Sequence, residues 1–289
     1  MVKSKKSHVG DFVIAFLCFL LILICLLPML NVLARSLSSS EALIKNRVWL
    51  WPVGFNFNAY KVVFGDSKYT WSLIWTAFLT VVGTFLSLFM TTICAYPLTY
   101  EKLKGRRFFN TVILFTMYFN AGTIPMYLLL KDLKMLDTPY VLIVPYCLSV
   151  FNMIIMRSFF YGIPESLRES AELDGAGPVT ILVHIYLPMS TPVIATLALF
   201  YAVGRWNGYS DALMFVKTRK YYPIQLLLYN IINSMMSIDT TTVEGFTTPG
   251  VSESIKAATI MFATIPILLV YPWLQKYFIT GATLGAIKE

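Results

Sequence analysis

The sequence predicts an all-α membrane protein: six transmembrane helices, with a cytoplasmic helix-turn-helix loop between the fourth and fifth. Three observations carry this expectation. Hydrophobic residues make up 57% of the chain and charged residues 13%, against roughly a quarter charged in soluble domains. Six apolar stretches are of the length needed to cross a ~30 Å hydrocarbon core. One stretch, 163–192, is instead polar and patterned as a helix. The formal charge of +8 is dispersed through the loops with no aromatic-interleaved basic face. It therefore speaks for lipid headgroups and orientation, not nucleic acid.

In chain order, Lys3, Lys5 and Lys6 precede the apolar run Asp11–Ala34. That run is longer than the roughly 7–15 residues of a signal core, so we read it as a retained first helix. A mixed loop with Trp49, Trp51 and Pro52 spans Arg35–Thr70, the composition of a membrane interface. The second span is Trp71–Tyr100, followed at once by Lys102, Lys104, Arg106 and Arg107, a cytoplasmic mark under the positive-inside rule. The remaining spans are Phe108–Leu130, Thr138–Phe160, Ser190–Val216 and Ala257–Ile279. Six spans place both termini on the side of that basic loop, in the cytoplasm. The total Lys and Arg count shows no such bias, so the orientation rests on local density. Pro28, Pro125, Pro145, Pro192, Pro266 and Pro272 are expected to interrupt nearly every span. Cys18, Cys25, Cys94 and Cys147 fall in apolar segments without ligand spacing and read as small packing residues.

The chain thus divides into 1–70, carrying the first helix and an external loop, a five-helix core over 71–279, and a cytoplasmic tail over 280–289. Between the fifth and sixth spans, the apolar patch Ile224–Ile232 is too short to cross and is expected to lie at the membrane surface. The polar run Asp239–Gly250 reads as an external loop.

The fifth span holds Arg205, Trp206, Asn207, Tyr209 and Asp211. At ~1.5 Å per residue, Arg205 lies ~22 Å along a helix beginning at Ser190. A charge that deep costs at least ~2.5 kcal/mol, so it faces a partner or a water-filled path. Two readings stand: Arg205 pairs with Asp211 to fix packing, or these five residues line a translocation pathway. In the second, Trp206 and Tyr209 offer aromatic faces to a sugar and Asn207 supplies hydrogen bonds. Arg205 then hints at an anionic sugar, a hint that an internal ion pair would erase.

The polar island begins with Pro164 at a first helical position and Glu165 where the helix dipole favours negative charge. Leu167 and Ala171 share one face, while Glu165, Arg168, Glu169 and Glu172 lie largely on another, water-facing one. Gly175 stands where a C-terminal cap belongs. Gly177 and Pro178 start a second short helix with Val179, Leu182 and Ile185, which Leu187 and Pro188 end.

Glu169-Ser170-Ala171, Gly175, Ile185 and Leu187-Pro188, at these spacings, resemble the EAA loop of permease subunits in binding-protein-dependent ABC importers. Ser170 stands where the family has a second Ala, a small-for-small departure. Met117–Pro145, the pair Trp206-Asn207 and Gln275–Glu289 resemble the carbohydrate-uptake branch, and within it the polysaccharide or complex-oligosaccharide permeases. The resemblance implies a heterodimer with a second permease, two cytoplasmic ATPases and an external solute-binding protein, in a bacterial cell membrane. It also implies that Glu169, Ser170, Ala171, Asp174, Gly175, Ile185, Leu187 and Pro188 dock the loop into an ATPase cleft, and that the tail reaches the same interface. ATP and Mg are then bound by the partner, with no cofactor in this chain. The sequence has no phosphate-cradling G-x-x-x-x-G-K-[ST] and no HExxH, which argues against ATP hydrolysis or metalloprotease chemistry here. A channel or ion-coupled carrier using Arg205 and Asp211 is the competing reading.

Overall fold

A computed structural model describes residues 8–119, 121–236 and 249–286, which are helical with connecting turns. Three helices are long and apolar enough to cross a membrane, and three bent pairs bring the number to six when each pair counts as one span. The chain divides into two compact units, Met1–Thr70 with Leu228–Pro266, and Trp71–Leu227 with Ile267–Glu289.

In the first unit, α1 (His8–Ser36) runs through Pro28 without a break. One proline removes one backbone donor, which a long helix tolerates in an apolar setting. Cys18 and Cys25 lie on its exposed surface instead of packing in a core. The predicted loop after it contains α2 (Ser40–Ile44) and α3 (Asn58–Gly65). It is pinned by Ser36 Oγ–Tyr60 Oη at 2.9 Å and by Val53 N–H donating to Ser38 Oγ at 3.1 Å. Trp49 and Trp51 are exposed, as interface residues are. Arg35 pairs with Glu253 at 2.5 Å, and the rings of Phe64 and Phe262 meet edge-on at 5.1 Å.

The second unit begins in α4 (Ser67–Ala95), whose indoles at Trp71 and Trp75 donate to the carbonyls of Lys220 and Tyr221. The third predicted span is two helices, α5 (Arg106–Tyr118) and α6 (Thr123–Asp132), at 114° to one another. Gly122 between them has φ +90°, a backbone state that only glycine reaches without strain. The fourth is likewise broken. Pro139 and Pro145 sit at the starts of two short 3₁₀ pieces, which meet α7 (Val150–Phe160) at 45°. After the polar island come α8 (Glu165–Leu173) and α9 (Pro178–Met189), then α10 (Thr191–Asn207), bent 82° from α9, and α11 (Ser210–Phe215). The fifth predicted span is therefore not one helix: it stops at Asn207, where Gly208 turns extended.

The Ile224–Ile232 patch forms the start of α12 (Ile224–Met236), with Ile224 and Leu226 buried against the protein. Ile224 N–H, at the start of the helix where no intrahelical partner exists, donates to the buried Thr76 hydroxyl at 2.8 Å. Most of the run Asp239–Gly250 lies outside the described residues. The last helix, α13 (Pro249–Ala286), contains the predicted span Ala257–Ile279, and Pro266 does not break it.

Candidate functional site

Pro164 caps α8 and Gly175 ends it. Gly175 has φ +84°, its N–H donates to the Glu172 carbonyl at 3.1 Å, and Ala176 N–H donates to that of Ala171 at 2.9 Å. That pair of bonds is a Schellman cap, which satisfies carbonyls the helix leaves open. A Cβ built on Gly175 meets nothing within 4 Å, so the position is open outward. Pro178 then opens α9 at its first turn.

Leu187 and Pro188 do not end α9. A π-turn over Leu182–Tyr186, in which Leu187 N–H reaches back to the Leu182 carbonyl, carries the helix on to Met189. Pro188 has no N–H for the His184 carbonyl and its ring crowds that group; widening the turn accommodates both.

The two short helices present unequal faces. Ala171, Ala176, Leu182 and Ile185 pack against a core containing Tyr96, Phe160, Ile163, Ile181 and Tyr186. Glu169, Ser170, Asp174, Gly175 and Pro188 are exposed, and Leu187 is half-buried. Leu173 is 89% exposed and Val179 73%, so the outward face is as much apolar as acidic. A bare leucine beside Glu169 on a short helix is what a docking surface needs.

Arg168 is the correction here. It does not join the water-facing carboxylates: its side chain is 11% exposed, bonded to Glu165, and 3.5 Å from Glu172. Its guanidinium lies 4.6 Å from the Tyr100 ring centroid. Burial works against the charge, but Glu165 foremost, with Glu172 and the nearby tyrosines, outweighs it and holds Arg168 protonated above its ordinary range. The spacing Glu165, Arg168, Glu172, at i−3 and i+4, was the available signal. Nothing in sequence told which side of the helix the aromatics of distant spans would occupy.

Of the fifth-span residues, Arg205 and Asp211 come together. Arg205 Nη1 meets Asp211 Oδ2 at 2.6 Å, with side chains 15% and 10% exposed, and Arg205 lies over the Tyr146 ring at 5.1 Å. The ion pair of the packing reading is formed. Arg205 borders a cavity of about 270 Å³ shared with Gly83, Tyr146, Ser149, Asn152 and Tyr201. Tyr201, which sequence reasoning passed over, bonds Thr91 at 2.7 Å and accepts from Ser149 N–H at 3.2 Å. Trp206 is half-buried, and Asn207 donates to the Val203 carbonyl at 3.0 Å, closing the end of α10. Tyr209 is exposed. Neither Trp206, Asn207 nor Tyr209 lines that cavity. A larger recess of about 970 Å³ runs beside α4 and α9, past Phe85, Phe89, Ile93, Val179 and Val183. Its walls are mostly apolar, with Thr92, Tyr96, Tyr100 and Lys102 as the polar residues among them.

Helices α4, α7 and α10 line a small polar cavity, and a capped helix presents an exposed face beyond them, an arrangement that fits a membrane transport subunit. The chain belongs to the family of binding-protein-dependent transport system inner membrane components, whose profile matches residues 74–283. It is thus a non-catalytic permease of an ABC importer, with ATP hydrolysis on a separate subunit. It is 40% identical over 285 residues to the polygalacturonan/rhamnogalacturonan transport system permease protein YtcP of Bacillus subtilis (strain 168), covering 98% of this chain and 99% of that one. Protein LplC of the same organism is 39% identical over 267 residues, covering 92% and 90%. Among solved structures, a chain of a bacterial ABC transporter involved in the import of the acidic polysaccharide alginate superposes with a TM-score of 0.87 at 35% identity, covering 96% of this chain and 99% of that one.

Proposed function

We propose that this chain forms half of the translocation pathway for a uronate-containing complex oligosaccharide, in an ATP-driven importer of the bacterial cytoplasmic membrane. One observation carries the substrate class: end-to-end similarity to a permease named for polygalacturonan and rhamnogalacturonan, and to a chain from an alginate importer. Both names denote acidic polymers. Arg205 adds nothing to this, because Asp211 neutralises it. The same neutralisation removes the motive for an ion relay through the pair.

In this reading the exposed residues Glu169, Ser170, Asp174, Gly175 and Pro188 meet an ATPase subunit. Ala171, Ile185 and Leu187 hold their helices to the spans. Tail residues 280–289 reach the same partner, and both termini are cytoplasmic. A second permease completes the pathway, two ATPases hold ATP and Mg, and an external binding protein delivers the sugar. The complex is expected to take up labelled trigalacturonate in proteoliposomes, and unlabelled trigalacturonate to compete while maltotriose does not. Equal competition by maltotriose overturns the acidic class.

A further inference from the structure

We propose that Arg168 is a positioning residue for energy coupling: it ties α8 to the aromatic stack at the ends of α4 and α7, so that displacement of α8 is passed to those spans. The inference rests on the docking role of α8 just proposed.

The nine-residue α8 has no buried residue of its own. It is bounded by Pro164 before its first turn and by the left-handed Gly175 after its last, so its helical hydrogen bonds continue into neither neighbour. Ala171 alone gives it a partly buried apolar contact with the core, too little to drag a membrane helix. Arg168 supplies the missing tie. Its planar guanidinium lies on Tyr100 at 4.6 Å while Glu165 and Glu172 hold it from its own helix, a stacked and forked geometry that lysine does not reproduce.

Tyr100 is in turn fixed. Its hydroxyl bonds that of Tyr96 at 2.6 Å, and the Tyr96 ring meets Tyr186 at 5.0 Å and Phe160 at 6.3 Å, edge to face. Tyr186 and Phe160 are 5.4 Å apart. One cation thereby reaches α4, α7 and α9 through four rings. The entry to the loop is anchored separately, by Arg106 donating to Tyr161 and Tyr161 donating to the Leu98 carbonyl at 2.9 Å.

The test uses the whole complex in proteoliposomes and reads saccharide transported per ATP hydrolysed. Arg168→Gln and Tyr100→Leu are each expected to lower this ratio about five-fold or more, the lower end of coupling between distant sites. ATPase co-purification stays unchanged, Arg168→Lys is intermediate, and the double variant is no worse than the poorer single. If Arg168→Gln does not fold and insert into the membrane, Tyr100→Leu, which keeps every charge, is read by the same ratio. An unchanged ratio, or hydrolysis and transport falling together, overturns the proposal. Loss of ATPase association in the Arg168 variants overturns it too, by making Arg168 part of the docking surface. Failure of docking at α8 itself is read separately, from Gly175→Asp.

Discussion

Thr76 shows how much rests on single polar atoms in an apolar chain. Its hydroxyl donates to the Ser72 carbonyl at 2.7 Å and accepts from Ile224 N–H at 2.8 Å, and the residue is fully buried. Thr76→Val keeps the shape and orphans that N–H, so it is expected to cost about 1–3 kcal/mol, read as earlier thermal unfolding in detergent. Arg205 and Asp211 behave as a pair. Asp211→Asn leaves a buried guanidinium without its charge partner and is expected to cost about 3–5 kcal/mol, whereas Arg205→Met with Asp211→Leu recovers most of it. A double that is no more stable than Asp211→Asn contradicts the packing role. The sequence showed that these two charges were close along the chain and needed an explanation. It did not show how the pair is housed, because that depends on Tyr146, far off in sequence, and on where α10 stops.

At the level of elements, the bends matter most. Composition sufficed to find six apolar segments, but three spans are bent pairs: one turns at Gly122, one begins with 3₁₀ pieces led by Pro139 and Pro145, and one bends by 82° between Met189 and Thr191. Proline alone misled, since Pro28 and Pro266 sit inside unbroken helices and Pro188 sits in a helix widened by a π-turn. The cap at Gly175 was legible in full, because a glycine after an amphipathic run has few other uses. The Asp137 turn was not. That residue has φ +58°, accepts from the backbone N–H groups of Thr218 and Lys217 at 2.7 and 2.9 Å, and accepts from the Thr218 hydroxyl at 2.8 Å. Only the fold brings these loops together. The Thr218 N–H foremost, then its hydroxyl and Lys217 N–H, hold the Asp137 carboxyl below the usual range. A depressed folded value means that this tie is fully present above about pH 4 and is lost as pH falls through the folded pKa. Asp137→Asn is therefore expected to lower the unfolding temperature at pH 7 and to shallow its decline toward pH 3. A parallel acid limb in variant and parent rules the turn out as a contributor.

For the whole molecule, the power source is easier to read than the cargo. Docking needs a short exposed helix whose cap, spacing and small residues leave a signature in one stretch of chain. The cargo leaves no comparable signature in one stretch: Arg205 borders the small cavity, while Trp206, Asn207 and Tyr209 are not among its lining residues. The most direct measurement of the central claim is made on Gly175→Asp in the reconstituted complex. Gly175 faces open space, so an added side chain disturbs a docked partner more than the fold. The account predicts normal membrane insertion and thermal stability within about 1–2 kcal/mol of the parent, the cost of a non-glycine residue in the left-handed region. It further predicts loss of ATP hydrolysis stimulated by loaded binding protein, and with it loss of uptake. Full stimulated hydrolysis and full uptake by Gly175→Asp would contradict it.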